Sequence, residues 1–248
     1  MRGPAHSCRL AFAVAFVASM VTAVTVLPTR QADAALSCGG KGNYKIGYGW
    51  SPSYPEFEGA EATTRTKGGL PCFGDGTFAN HEGIAFRVAN YNLNCWMTSG
   101  YRFYNGGTGR RVVGQWTTTD CGAPIGAIGP VTGVGGLHTY TVGVRASCQC
   151  LVAKWEGGDL IVGSGMNPDT WARPSKVAWY GSAAYRESDI PGIDTDKAHF
   201  DNMRAERQSD DVWISSPCGM ATFNQNSLNR WGQDKPACND AHVWTFVA

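Results

Sequence analysis

Charge is scarce in this 248-residue chain: Asp, Glu, Lys and Arg together make up 17% of it, the formal net charge is +1 and the pI is about 7.5. Without a basic stripe or a block of like charge there is no electrostatic footprint for nucleic acid or for an anionic membrane surface. No repeat, heptad or low-complexity tract runs between Leu36 and Ala248, which excludes solenoids and coiled coils. No Gly-x-Ser-x-Gly elbow is present, because Gly163-Ser164-Gly165 lacks the outer glycine spacing. The Gly-rich stretch Asn105-Gly106-Gly107-Thr108-Gly109 has no phosphate-loop pattern and reads as a hairpin turn. Cys148 and Cys150 have one residue between them, short of zinc-knuckle spacing, so neither a metal nor a cofactor is expected. What the chain does have is aromatic content (11%) and 32 Gly without a period, which rule out disorder and collagen.

One long apolar run occurs, Leu10 to Leu27, preceded by Arg2 and Arg9 and followed by Ala32-Asp33-Ala34. Basic, apolar and small-x-small segments in that order predict a secretory signal peptide over residues 1–35, ahead of a single domain at 36–248. Cleavage takes Cys8 with it and leaves Cys38, Cys72, Cys95, Cys121, Cys148, Cys150, Cys218 and Cys238, an even set expected to form disulfides in an exported protein. Cys218 with Cys238 and Cys95 with Cys121 are the expected local pairs. Cys148 and Cys150, read as part of one extended strand, are expected to take separate partners. Loss of Arg2, Arg9, Arg30 and Asp33 shifts the formal charge to about −1. The expected location is extracellular, with no membrane contact after cleavage.

The mature region reads as short alternating segments between Gly, Asn, Asp and Pro, the pattern of an all-β antiparallel sandwich. Strands are predicted at Glu82 to Val88, Trp96 to Tyr104, Arg111 to Thr117, His138 to Arg145, Cys148 to Trp155, Asp159 to Gly163, Lys176 to Tyr185, His199 to Arg207 and Val243 to Val247. Glu156-Gly157-Gly158 reads as a tight turn, Met166 to Trp171 as a loop with one helical turn, and Ser216 to Asn239 as a disulfide-pinned loop.

His138-Thr139-Tyr140-Thr141-Val142, the Cys148 to Trp155 strand, a Gly-Gly turn and Leu160-Ile161-Val162 together resemble the strand signature of concanavalin A-like lectin/glucanase jelly rolls. Trp179-Tyr180-Gly181, Asp189-Ile190-Pro191-Gly192 and Phe200-Asp201-Asn202 resemble segments of uncharacterised secreted actinobacterial proteins of that architecture. The resemblance covers roughly residues 80 to 207. It implies a disulfide-stabilised, single-domain jelly roll, one sheet of which forms a groove for glycans.

Glucanases of that superfold carry Glu-x-Asp-x-x-Glu on one strand. The nearest match here is Glu56-Phe57-Glu58-Gly59-Ala60-Glu61, in which Pro55 and Gly59 argue for a solvated loop, so no catalytic residue is assigned. Arg204, Arg207, His138 and Tyr140 supply residue types that polysaccharide lyases use, but not their spacing; His138 reads as structural, and His81, His199 and His242 have no better company. Asp189, Asp194, Asp196 and Asp201 form an acidic stretch without EF-hand spacing. Alternation places Trp96, Thr98, Arg102 and Tyr104 on one side of their strand, and Arg111 and Gln115 on one side of the next. Rings for sugar C–H faces and planar groups for hydroxyls make Trp96, Arg102, Tyr104, Arg111 and Gln115 the expected ligand-binding face. The expected function is a secreted, lectin-like carbohydrate-binding protein whose partner is a polysaccharide or glycan. A glycoside hydrolase or polysaccharide lyase on the same fold is the alternative, and a structural or protein-binding envelope protein the third.

Overall fold

Alternating apolar residues bury one side of each strand, and two such sheets close on one another. The computed structural model describes residues 41–49, 56–67, 82–90, 95–105, 111–121, 125–131, 134–171, 175–185, 189–215, 217–225 and 229–246. Residues 1–35, expected to be a signal segment, and Cys38 and Cys72 lie outside them. In chain order the strands are β1 (Lys41–Gly49), β2 (Phe57–Arg65), β3 (Glu82–Asn90), β4 (Trp96–Asn105), β5 (Arg111–Asp120), β6 (Ile125–Val131), β7 (Leu137–Arg145), β8 (Cys150–Trp155), β9 (Gly158–Val162), β10 (Ser175–Tyr185), β11 (Gly192–Ile193), β12 (Asp196–Arg207), β13 (Val212–Ser215), β14 (Ala221–Asn224), β15 (Trp231–Ala237) and β16 (Asp240–Thr245). One 3-10 turn, Pro168–Thr170, is capped by the Asn167 side chain, which accepts from Asp169 N.

The first sheet has the order β14-β1-β10-β3-β4-β5-β6; the second runs β15-β16-β11-β12-β2-β7-β8-β9, with β13 beside β12. Among the described strands, neighbours pair antiparallel apart from Ile193 of β11 against Thr245 of β16. The chain is therefore an all-β sandwich, held by disulfides as well as by its core.

The core is a layer of large apolar side chains between the sheets. Phe86 of β3 stacks on Tyr140 of β7 (centroids 5.7 Å) and meets Phe200 of β12 edge-on (5.6 Å). Trp179, Ile46, Tyr48, Met97, Tyr101, Val142, Leu151, Met203 and Val243 are wholly buried around them. Polar atoms at the seam find partners across it: Trp179 Nε1 donates to Glu61 O (3.2 Å), and Ser99 Oγ donates to Lys154 O (3.0 Å). Each such bond satisfies a group that burial would otherwise penalise.

Two of the expected disulfides form, Cys95–Cys121 and Cys218–Cys238. Cys148 pairs with Cys150, against expectation. The strand starts at Cys150 rather than at Cys148, and the turn before it carries Gln149 at φ +48°, which swings the two Cβ atoms toward each other. The segment Ser216 to Asn239 also departs from the expected loop, because β14 and β15 lie within it and add edge strands to each sheet. The Trp155–Gly158 hairpin forms as read, with Glu156 and Gly157 both at positive φ, as a type I′ turn requires.

Close strand approach on the first sheet depends on Gly47. A Cβ there would lie 2.1 Å from Trp179 O and 2.7 Å from Tyr180 Cα, backbone atoms that cannot swing aside. Gly47→Ala is expected to cost about 2–3 kcal/mol through overpacking, read as a Tm lowered by roughly 5–10 °C for a chain of this size.

Candidate functional site

Antiparallel register decides which residues share the outer face of the first sheet. Lys45 of β1 is opposite Ser182 of β10, Ala178 is opposite Arg87 of β3, and Lys176 is opposite Ala89, which in turn is opposite Trp96 of β4. The alternate residues, Phe86, Val88, Val177 and Trp179, point into the core. On the outer side Tyr180 and Ala85 form a small apolar cluster, joined by Ala178 and Phe223.

A cleft of about 310 Å³ opens over this cluster. Three cations line it, Lys45, Arg87 and Lys176, together with the rings of Tyr180 and Phe223 and the amide of Gln225. No Asp or Glu is among its described lining residues. Lys45 Nζ lies over the Tyr180 ring at 5.1 Å, and the Arg87 guanidinium lies over Trp96 at 4.6 Å, both within cation–π range. Burial, then the charges of Arg87 and Lys176, lowers the Lys45 pKa to about 7. Burial and Arg87 lower Lys176 in the same way. An anion placed among the three would offset the repulsion between their charges.

The expected ligand face is only partly assembled here. Trp96 is on this outer side as read, with Arg87 laid across its ring. Arg102 is on the same side of β4 and is buried, opposite Gly83. Tyr104 pairs with Val112, Arg111 with Asn105, and Gln115 with Tyr101, a core residue. Lys45, Arg87 and Lys176 were not singled out from sequence. They stand on three different strands, and only alternation opposite known core residues could have pointed to them.

The acidic hexapeptide is a central strand rather than a solvated loop. Glu56 is exposed just before β2, while Glu58 and Glu61 lie on it, between β12 and β7. Gly59 fits this strand because it faces Glu206: a Cβ would meet Glu206 Cβ at 2.5 Å and Trp213 at 2.9 Å. Glu206 reaches across the vacant side-chain position to accept from Val144 N (3.3 Å). Glu58 is the extra residue of a bulge, since β12 steps from Glu206 to Arg207 while β2 steps from Gly59 to Phe57. The carboxyls are thus diverted from one another's service: Glu61 pairs with Arg204 and accepts from Thr141 Oγ1 (2.9 Å), and Glu58 is almost fully buried.

Burial raises the Glu58 pKa to about 8, helped by the neighbouring Asp211 and by the charges of Asp169 and Glu206. Burial also raises Glu206, against hydrogen bonds from Val144 N–H and the Trp213 indole that pull it down. Trp213 closes over this group, so it is a covered cluster rather than an open acid–base pair.

The other candidates are engaged separately. His138 Nδ1 contacts Glu156 Oε1 (3.3 Å) and its ring packs on Tyr140 and Trp155, a structural role as read. Tyr140 belongs to the core, and Arg207 pairs with Asp210. In the acidic stretch, Asp189 pairs with Arg230, Asp196 with Lys67, and Asp201 lies by His199.

No protein-family model and no curated protein matches the chain. Among solved structures it is similar to the crystal structure of Scytalido-glutamic peptidase with a peptide based transition state analog. The TM-score is 0.52 at 10% identity, over 83% of this chain and all of that one. The likeness establishes the β-sandwich fold.

A carboxyl with a raised folded-state pKa holds its proton in the native protein at pH values where the unfolded chain has released it. Its stabilising contribution is therefore complete below about pH 4.5 and is lost as pH rises toward about 8. Glu58→Gln is expected to flatten that loss, raising Tm at pH 8 by on the order of 5 °C relative to the parent while leaving Tm at pH 4 little changed; thermal unfolding at both pH values checks it.

Proposed function

We propose that this is an exported carbohydrate-binding protein whose cleft on the outer face of the first sheet takes an acidic polysaccharide. The observation that carries this reading is the joint placement of Lys45, Arg87 and Lys176 with Tyr180 and Phe223. A uronate presents both partners such a surface suits, a carboxylate for the cations and a C–H face for the rings. The expected concanavalin A-like resemblance agrees with this use of a sheet face. So do disulfides and the lack, among the described residues, of a helix long and apolar enough to cross a membrane. Fold likeness to a peptidase does not carry peptide hydrolysis to this chain.

The lowered Lys45 pKa favours a second reading, a polysaccharide lyase. A neutral lysine beside a uronate held by Arg87 can take the proton α to the carboxyl as the C4–oxygen bond breaks and pass it to the departing oxygen, leaving a C4–C5 double bond on one product and a hydroxyl on the other.

Retention on immobilised polygalacturonate, with cellulose as the neutral control, tests the binding. Retention is expected on the acidic polymer only, weakened roughly tenfold or more by Arg87→Gln or Lys176→Gln, as for loss of a charge-assisted hydrogen bond. It is expected to weaken further as pH rises through about 7, where Lys45 loses its charge. Equal retention on both polymers, or none, sinks the proposal. Appearance of ultraviolet absorbance from unsaturated ends, lost in Lys45→Gln, selects the lyase.

A further inference from the structure

On the second sheet, three adjacent antiparallel strands bring histidine and carboxylate side chains into one row. His199 of β12 is directly opposite His242 of β16, and His242 is directly opposite Asp234 of β15. Directly paired residues project from the same face, and the flanking Ala198, Phe200, Ala241 and Val243 are core residues, so the row lies on the outer face. Asp240, two residues before His242 on β16, shares that face.

We propose that His199, His242 and Asp240 form a zinc-binding site. One ligand atom from each lies within 4.8 Å of the others, and His242 Nε2 is 3.0 Å from Asp240 Oδ1. The His199 and His242 rings are 3.9 Å apart, centroid to centroid. Tetrahedral zinc with bonds of about 2.0–2.1 Å sets its ligands about 3.4 Å apart. Side-chain rotation can close that difference, His199 being 41% exposed.

A second observation points independently to a cation. His242 Nε2 and Asp240 Oδ1 are both buried, face each other at 3.0 Å and make no other hydrogen bond among the described residues. Buried polar atoms are almost always satisfied, and this facing pair is explained by an ion that both atoms would coordinate. The surrounding carboxylates are placed for that role. Asp201 Oδ1 lies 3.6 Å from His199 Nδ1, and Asp234 contacts His242 Nδ1, so each imidazole has an acid behind one nitrogen and leaves Nε2 for the metal. Asp234 is itself held by Lys197, whose ammonium lies 4.1 Å from the Trp244 ring centroid. Two imidazoles and one carboxylate suit zinc rather than calcium or magnesium, which prefer all-oxygen sets. Three protein ligands leave a fourth position open toward solvent for water or an incoming donor atom.

Calorimetric titration of the mature, disulfide-intact protein with zinc chloride is expected to give one saturable site per chain, with cobalt(II) producing visible d–d bands at the same stoichiometry. His199→Gln and His242→Gln are each expected to weaken zinc more than a hundredfold, Asp234→Asn by roughly 10–100-fold as an outer-shell change, and His138→Gln not at all. His199→Gln changes a half-exposed side chain and keeps the test decisive if His242→Gln does not fold. Absence of saturable binding, or full binding by folded His199→Gln protein, overturns the site.

Discussion

Everything on either surface of this protein depends on the packing of two inner faces around Phe86 and Trp179. Phe86 fills the gap to β7 and β12, and Trp179 crosses to the second sheet to donate its indole N–H to Glu61 O. Large apolar burial provides the main stabilisation, while the single directional bond sets the lateral position of β10 over β2. That registration has consequences outward. With Trp179 turned in, Tyr180 and Ala178 must turn out, and these residues floor the cationic cleft. With Ala60 and Ala62 turned in, Gly59 and Glu61 must turn out beside Glu206 and Arg204.

The outer faces share a device. Aromatic side chains lie across glycines of other strands: Trp213 reaches over β12 to Gly59 and Gly143, Trp244 lies over Gly232, and Phe223 over Gly49. A glycine in a strand weakens it by itself, and a ring laid over it restores the buried contact. The same rings carry a cation on the exposed side, Arg204 on Trp213 and Lys197 on Trp244, with Arg87 on Trp96 completing the set. Tryptophan is thus divided between two tasks. Trp179 and Trp231 are core, Trp155 and Trp171 pack against it, and Trp96, Trp213 and Trp244 anchor charge on the surface.

The two faces differ in the charge they conceal. On the first sheet the partly buried groups are cations, and burial together with neighbouring charge lowers the pKa of Lys45 and Lys176. The second sheet buries carboxyls whose pKa values burial raises, Glu58 and Glu206, and a few strands away sets imidazoles among carboxylates. Low overall charge hides this segregation, because opposite faces cancel in the sum.

Alternation along individual strands was legible in the sequence, and so were the all-β class, the Glu156-Gly157 turn and two disulfides, because period-two burial and local pairing are properties of short segments. The Cys148–Cys150 bridge was not legible, since it depends on one residue, Gln149, adopting a left-handed backbone where a strand was expected to begin. Gly59 misled for a related reason: its missing side chain serves Glu206, a residue 147 positions away that no local rule connects to it. The cleft and the histidine row are tertiary in the same sense. By itself the sequence determined which side of each strand is apolar; only the tertiary structure decided which outward residues meet, because strand order and register bring Lys45, Arg87 and Lys176, or His199 and His242, together from distant parts of the chain.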